Sequence, residues 1–315
     1  MRALALTLVL LITAAAPGQN PAQKPDQKQE QKPGLVRWNM SRNSVDVLSH
    51  DVPQSNALRL AQLERVFSGL ECKSPRLTEQ SVAQAKNLLC TFPGIKPAIK
   101  AGAPQATLPG IMLFIAHYEH EGPGQSAVDD WSGAIMLPFL YHAISATPRN
   151  HTFIFAEVDG AAGAKALFDS LTPAQRHSLQ GVVALDALGL GPTQFYIGPN
   201  DTYGSSGWRW LNRQLVQAAA GQLVDAPLIA IPGSWYKVDT TREFRHHDVP
   251  SILIHSVTWN TRQLPGSAGD TAAAINGDAY FNTYNLLADY VVQLDQPQPS
   301  AIQAAPSSSS RGARR

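Results

Sequence analysis

The sequence predicts a three-layer α/β/α domain built on a mixed, mainly parallel sheet. Two features of the chain after Pro109 predict this fold: short continuous apolar runs, and amphipathic segments that alternate with them. Apolar runs of this length suit strands that are buried on both faces. Strands that alternate with helices are typical of a sheet covered by helices on both sides. The six runs are GIMLFIAHY, HTFIFAEV, GVVALDAL, QFYIG, PLIAIPG and PSILIHS.

Before Pro109 the pattern predicts helices instead of strands. The stretch SNALRLAQLERVFSGL has apolar residues at helical spacing and begins with Ser55, a residue type that caps helices. The stretch LTEQSVAQAKNLL predicts a second helix with Thr78 as its cap. We therefore expect residues 36–108 to be a helical part at the start of one domain that spans residues 36–295.

Four amphipathic segments after Pro109 predict the helices that cover the sheet. They are SGAIMLPFLYHAIS, GAKALFDSL, SSGWRWLNRQLVQAAAG and GDTAAAINGDAYFNTYNLLADYVVQL. Each has apolar residues on one side at helical spacing, which is the pattern of a helix with one face on a core. Because each lies next to an apolar run along the chain, we expect them to pack against the strands.

Both ends of the chain differ in composition from its middle. Residues 1–16 combine Arg2 with an apolar run too short to span a bilayer. This pattern predicts a bacterial-type signal peptide and export to the periplasm or beyond; a single N-terminal anchor helix is the alternative. After signal cleavage we expect no transmembrane segment. Residues 17–35 and 296–315 are polar and rich in Pro, Gln, Lys or Ser, which predicts a disordered linker and tail.

Charge and cysteine content narrow the possible partners and the compartment. Lys and Arg number 25 against 24 Asp and Glu, and the formal net charge is +1. The one basic cluster lies in the tail, so nucleic acid is not an expected partner. The two cysteines, Cys72 and Cys90, are expected to form a disulfide in an exported protein. Two separate buried thiols are the alternative.

Polar residues of catalytic type lie in or directly after the predicted strands. They are His117, Glu119, Asp129, Glu157 and Asp186. The carboxyl ends of parallel strands meet at one edge of a sheet, where functional sites form. An imidazole and two carboxylates can hold a zinc ion and leave a fourth position open. A further carboxylate can take a proton from water.

Each of these residues also has a purely structural interpretation. His117 alone can be a satisfied histidine at a strand end. Asp129 or Asp130 can cap the helix that follows. Asp186 can bond loop amides, and Glu157 can pair with a nearby arginine. Residue spacing alone therefore leaves both a metal site and these structural roles open.

Three segments of the sheet region carry motifs in a fixed order. They are AHYEHEGPGQSAVDDWSGA, FIFAEVDGAAGAKAL and VVALDALG. The first is similar to a strand ending in Ala-His-x-Asp followed by Gly-Ala-x-Asp-Asn-x-Ser-Gly, the second to Phe-x-x-x-Glu-Glu-x-Gly-Leu-x-Gly-Ser, and the third to an Asp-bearing strand. Together they resemble the zinc aminopeptidase family that includes bacterial leucyl aminopeptidases, glutamate carboxypeptidase and glutaminyl cyclases. The resemblance is closest over residues 110–190 and implies the zinc exopeptidase fold.

The resemblance implies a role for each matched residue. His117 and Asp186 would bind one zinc ion, and Asp129 would bridge two. Glu157 would be the general base that takes a proton from the attacking water. Glu119 stands where the family has the Asp that orients the histidine, and residues two apart on a strand point to the same side.

This sequence departs from the family at both ligands of the second zinc. Val158 stands at the position of a ligating Glu, and Gly266 at the position of a ligating His. One ion is therefore expected, and cyclase activity is disfavoured because the family's cyclases use the Asp-Glu-His set. His120, His246 and His247 are possible substitute ligands, although the last two also fit a solvent-facing loop.

The sequence thus predicts an exported, zinc-dependent aminopeptidase that removes N-terminal residues from peptides, with one retained metal and weakened activity. The alternative is a catalytically inactive family member that binds peptides or a partner protein, which the changes at Val158 and Gly266 motivate. A metal held only for structure is a third interpretation, and it requires a fourth ligand that closes the site.

Overall fold

The computed structural model describes most of the predicted domain. The described residues are 37–82, 85–95, 108–197, 206–220, 229–232 and 240–296. The predicted signal peptide and linker lie outside them, as does the predicted tail after residue 296. None of the helices in these ranges has the length and apolar character needed to cross a membrane.

A mixed sheet of eight strands lies at the centre of the described chain. The strands are β1 (Leu77–Val82), β2 (Ala85–Phe92), β3 (Ile111–His117), β4 (Thr152–Val158), β5 (Leu179–Leu185), β6 (Gln194–Ile197), β7 (Ile229–Pro232) and β8 (Ser251–His255). Their order across the sheet is β1-β2-β4-β3-β5-β8-β6-β7. The four central strands run parallel, whereas β2 pairs antiparallel with β4, and β6 with β8. All six strands predicted after Pro109 are present, and the predicted fold class is confirmed.

Nine helices surround this sheet within the described ranges. They are α1 (Arg42–His50), α2 (Asn56–Gly69), α3 (Ser132–Ala134), α4 (Met136–Ile144), α5 (Gly160–Ser170), α6 (Pro173–Ser178), α7 (Ser206–Ala220), α8 (Arg242–His246) and α9 (Gly277–Leu294). The Ser55 side chain accepts the Leu58 N–H, so Ser55 caps α2 as predicted. The last predicted helix begins later than expected, because Asn276 caps α9 through the Ala279 N–H.

The predicted helix over LTEQSVAQAKNLL is wrong, and the same residues form the β1–β2 hairpin. Leu77 pairs with Cys90 and Val82 with Ala85. Buried and less buried side chains alternate along the second half of β2, which is the period of a strand. This strand also pairs with β4 along its other edge. Sheet pairing and burial therefore override the local helix preference.

Two hydrophobic clusters show that the helices cover both faces of the sheet. Phe114 and Phe155 lie in one cluster with residues of α4 and α9. Leu113 and Ile115 lie in the other cluster with residues of α5 and α8. Because successive residues of β3 enter opposite clusters, the strand is buried on both faces, as its continuous apolar run predicts.

A disulfide joins Cys72, just after α2, to Cys90 in β2. Both cysteines are buried, and no other cysteine occurs in the sequence. The segment between the two cysteines, for which the sequence predicts a helix, contains the β1–β2 hairpin. The bond ties the N-terminal helices to the outer strands of the sheet.

Removing this disulfide is expected to destabilise the protein without changing its site. The double variant Cys72→Ser, Cys90→Ser opens a loop with a sequence separation of 18 residues. A loop of this size corresponds to about 3 kcal/mol of unfolding free energy. Urea denaturation of the wild type and the variant measures the difference. A thiol titration of the unreduced, denatured wild type should find no reactive thiol, and two reactive thiols would contradict the pairing.

Candidate metal centre

Two central strands, β3 and β5, bring polar side chains to the carboxyl edge of the sheet. His117 is the last residue of β3, and Asp186 directly follows β5. The register pairs Ile115 with Ala184, so two residues further on His117 and Asp186 are lateral neighbours on one face. On the other side of β3, the partner of His117 is Val158.

A π-helical turn over Ala127–Trp131 supplies two more acidic side chains. Ser126 enters the turn in the left-handed region with φ 44°. Asp129 leaves helical geometry inside the turn, with φ −117° and ψ 96°. The helical path is thus broken at Asp129, and this break changes the direction of the side chains on either side of it. The side chains of Asp129 and Asp130 therefore point in directions that a regular helix would not give them.

Close packing of α3 on β5 brings this turn next to Asp186. A Cβ atom on Gly133 would lie 2.4 Å from the Leu185 carbonyl oxygen, so only glycine allows this approach. The Ser132 hydroxyl bonds the Val128 carbonyl and accepts the Leu188 N–H at 2.8 Å. Ser132 thus joins the turn that carries Asp129 and Asp130 to the segment that follows β5.

Four side chains converge at this edge: His117, Asp129, Asp130 and Asp186. Each offers one possible ligand atom, and these atoms all lie within 4.8 Å of one another. The Nδ1 atom of His117 lies 2.8 Å from Asp130 Oδ1, and its Nε2 atom lies 3.7 Å from Asp186 Oδ2. The structure thus brings together the three predicted ligands and adds Asp130 to them.

The unpaired atoms of this group fit a bound zinc ion. The atoms His117 Nε2 and Asp129 Oδ1 and both carboxylate oxygens of Asp186 are buried and have no hydrogen-bond partner among the described residues. Unpaired buried polar atoms cost free energy, and native proteins rarely leave several together. One imidazole nitrogen and carboxylate oxygens form a set that zinc commonly takes.

Asp129 and Asp130 hold their protons more tightly than usual in the metal-free protein, because the pKa of each is raised. Burial and the nearby Asp186 raise the pKa of Asp129 to about 7. Burial and Asp129 raise the pKa of Asp130. Burial lowers the pKa of His117, but its contacts with Asp130, Asp186 and Glu119 outweigh this and raise it. A cation at this place would replace these protons, which is the usual coupling of metal binding to proton release.

Glu119 contacts the histidine in the way that the sequence predicts. Its Oε1 atom lies 3.2 Å from His117 Nδ1, and its Oε2 atom accepts the Gly160 N–H at 3.0 Å. A Cβ atom on Gly160 would lie 2.6 Å from Glu119 Oε1, and its φ is +57°, so this position requires glycine. Glu119 therefore links the imidazole to the start of α5.

Asp130 was missed as a member of the site, although a signal for it was present. The sequence has two acids in a row where the resembled motif has Asp-Asn, and the second acid was considered only as a helix cap. In the structure both Asp130 and Glu119 face His117 Nδ1. Because both acids lie at Nδ1, the other ring nitrogen, Nε2, is the one that faces Asp186.

Glu157 is not brought into the four-residue group. It pairs in register with Ala116, one residue before His117, and strand alternation directs its side chain to the face of Phe155. Both of its carboxylate oxygens are buried without a hydrogen-bond partner among the described residues. Burial alone raises its pKa, with no contribution from the four residues of the group. Its predicted role as general base stays a prediction.

The three histidines proposed as substitute ligands also lie outside the group. The His120 ring bonds the Gly124 carbonyl oxygen at 3.1 Å. His246 is exposed at the end of α8, and the exposed His247 stacks on Phe168 with the ring centroids 4.1 Å apart. The exposure of His246 and His247 therefore agrees with a solvent-facing position better than with a role as metal ligands.

The segment around Gly266 lies against the π-helical turn through one buried acid. Asp270 accepts the N–H groups of Val128 at 2.7 Å, Asp129 at 3.3 Å and Gly266 at 2.9 Å. Gly266 adopts φ +68°, and an added Cβ would meet no atom within 4 Å. Gly266 thus lies beside the site, but it offers no side chain to a metal.

The fold places one histidine and three acids, a group that could hold a metal ion, at the carboxyl edge of the parallel strands. The sequence model of peptidase family M28 matches residues 99–291. The chain therefore belongs to peptidase family M28. No curated protein matches it significantly by sequence.

Solved structures of aminopeptidases and glutaminyl cyclases share this fold. An aminopeptidase from Aneurinibacillus sp. strain AM-1 is 19% identical, with a TM-score of 0.55 over 70% of this chain and 51% of that one. The LapA aminopeptidase of Legionella pneumophila is 13% identical, with a TM-score of 0.60 over 80% and 70%. An Acidobacteriales bacterium glutaminyl cyclase is 15% identical, with a TM-score of 0.63 over 90% and 99%. This chain spans about half the length of the Aneurinibacillus aminopeptidase.

Proposed function

We propose that this protein is an exported, zinc-dependent aminopeptidase that retains one metal ion. The observation that carries the proposal is the convergence of His117, Asp129, Asp130 and Asp186 at the sheet edge. One possible ligand atom from each lies within 4.8 Å of the others, and several of their polar atoms have no hydrogen-bond partner among the described residues. Membership of peptidase family M28 supports the hydrolytic class. The predicted signal peptide supports export.

His117, Asp129 and Asp186 would hold the ion. Zinc bound there supplies a Lewis acid that polarises a substrate carbonyl and activates water. Asp130 and Glu119 hold the imidazole from its Nδ1 side, so that Nε2 stays directed at the ligand position. The packing of the Asp129 turn on β5 fixes the distance between the two ligating acids.

The second zinc of the family is proposed to be absent. Val158 lies beside His117 at the sheet edge, where a carboxylate would be the lateral neighbour of the imidazole, but its side chain belongs to the apolar cluster with α5. Gly266 has no side chain to contribute. In a two-metal site one ion can bind the substrate amine while the other polarises the carbonyl, so the loss of one weakens turnover. The loss of a single oxyanion donor raises the activation free energy by about 3 kcal/mol.

Glu157→Gln tests the predicted general base. If Glu157 takes the proton from water, the substitution should lower kcat by roughly 100-fold or more while the zinc content stays unchanged. The measurement is the release of a chromogenic amine from an aminoacyl substrate, together with the metal content of each preparation. Turnover equal to that of the wild type would remove Glu157 from the mechanism.

An inactive, peptide-binding member of the family is the second candidate, and Val158 and Gly266 favour it. Cyclase activity is assayed as well, because the match to the Acidobacteriales cyclase covers 90% of this chain and 99% of that one, although the same two residues disfavour it. Parallel assays with leucine-first and glutamine-first peptides separate the two activities. Release of the first residue supports the aminopeptidase, and formation of pyroglutamate supports the cyclase. A protein that binds these peptides without zinc and turns over neither would be an inactive binding member of the family.

A further inference from the structure

An arginine of α2, which is not a proposed ligand, bonds the loop that connects His117 to the turn with Asp129. Arg59, in the first turn of α2, is completely buried. A guanidinium has five N–H donors, and here each has one carbonyl acceptor. The acceptors are the carbonyl oxygens of Pro53, Tyr118, Glu119, Gln125 and Ser126, at distances of 3.0, 3.2, 2.8, 2.5 and 3.1 Å.

Four of these carbonyls lie at the two ends of one loop. Tyr118 and Glu119 directly follow the ligand His117, and Gln125 and Ser126 directly precede the turn that carries Asp129. One planar group thus holds the exit from β3 and the entry to the π-helical turn at a fixed separation. A rigid planar donor can set such a geometry, whereas a flexible ammonium cannot.

A second contact of α2 supports the same role. The Asn56 side chain, at the first residue of the helix, accepts the His120 N–H at 2.7 Å. The start of α2 therefore contacts the beginning, the middle and the end of the loop. The guanidinium also lies over the Trp131 ring, 5.8 Å from its centroid, and so contacts the far end of the turn.

Arg59 keeps its charge in this buried place because acidic groups surround it. Burial lowers its pKa to about 10, and the charges of Asp130, Asp270 and Glu119 oppose that effect. A buried cation costs free energy unless its donors are satisfied. The five carbonyl bonds meet that requirement and leave the neighbouring carboxylates available for other partners.

We infer that Arg59 is a positioning residue of the metal centre: it fixes the loop between His117 and Asp129 and so preorganises the site before a metal binds. The inference rests on the proposed metal site for its functional meaning. The N-terminal helices are thereby part of the site's framework, although they supply no ligand.

The test compares Arg59→Lys with the matched control Arg149→Lys in the full chain. Arg149 is also buried, but it lies three residues before β4, at the opposite edge of the sheet. Lysine has three donors and cannot satisfy five carbonyls. Arg59→Lys should weaken zinc affinity by about 10-fold to 100-fold, the range typical of groups that support ligands. Arg149→Lys should leave zinc affinity unchanged even where it lowers Tm equally.

Amide hydrogen exchange of the zinc-free proteins gives a readout that does not depend on metal. Residues 118–130 should exchange faster in Arg59→Lys than in the wild type and at the wild-type rate in Arg149→Lys. Equal exchange of this segment in all three proteins would overturn the inference. If Arg59→Lys does not fold, Arg59→Gln takes its place, because its neutral amide keeps two donors and buries no charge. Unchanged exchange in residues 118–130 of that variant would then overturn the inference. A wild type that binds no zinc would refute the proposed function, and the exchange comparison would still decide the role of Arg59.

Discussion

Asp186→Asn is expected to lower zinc affinity by roughly 100-fold or more and to abolish zinc-dependent turnover. Both Asp186 oxygens are buried without a hydrogen-bond partner among the described residues, and Oδ2 lies 3.7 Å from His117 Nε2, a distance that leaves room for an ion between them. Asparagine keeps the shape but removes the charge that a cation requires. The measurement is a zinc titration by calorimetry or by competition with a chromogenic chelator.

The same substitution should make the metal-free protein more stable. Asp186 is one of the causes that raise the pKa of Asp129, so its charge opposes the ionisation of its neighbour. A lower zinc affinity together with a higher Tm of the metal-free protein is expected when a site keeps acids close together in order to bind a cation. Asp169→Asn is the control, because Asp169 is an exposed acid paired with Lys165 on α5. Unchanged zinc affinity in Asp186→Asn would remove this residue from the ligand set.

The metal-free protein is expected to lose stability as the pH rises from about 4 to about 7. Asp129 has an ordinary pKa of 3.8, and its pKa in the folded protein is about 7. The folded form therefore binds more protons between these two values, so the unfolding free energy falls as the pH increases. A shift of this size corresponds to on the order of 4 kcal/mol. Burial raises the pKa of Asp130 and Glu157 in the same direction.

Bound zinc should reverse this dependence, because the ion displaces the same protons. Stabilisation by zinc is expected to increase with pH, and zinc at 100 times its Kd should add about 2.7 kcal/mol. Thermal unfolding from about pH 4 to about pH 8, with chelator and with zinc, measures both effects. Asp186→Asn should flatten the chelator curve. Parallel curves with and without zinc would contradict the proton–metal competition.

The sheet was predictable because its strands carry their own signal. A parallel strand that is buried on both faces must be apolar along its whole length, and β3, β4, β5 and β8 show such runs. The β1–β2 hairpin was not predictable in this way. Its residues Leu77–Leu89 include good helix formers, and pairing with β4 decides their conformation. That pairing is a contact between residues about 65 positions apart, which no local pattern contains.

The ligand residues at strand ends were predictable for a related reason. His117 and Asp186 follow apolar runs, and parallel strands place such residues at one edge. Asp130 and Arg59 were not predicted, because their roles depend on an irregular turn and on a helix that approaches from the N-terminal part. A buried arginine with only carbonyl acceptors leaves no motif in the sequence.

Anomalous diffraction at the zinc edge from crystals of the zinc-loaded protein tests the central claim most directly. We expect one zinc peak per chain, bonded by His117 Nε2 and by carboxylate oxygens of Asp129 and Asp186, at about 2.0–2.2 Å. A second ion beside Val158 would contradict the one-metal account. The absence of a peak at these three residues, in crystals with zinc in excess, would contradict the site itself.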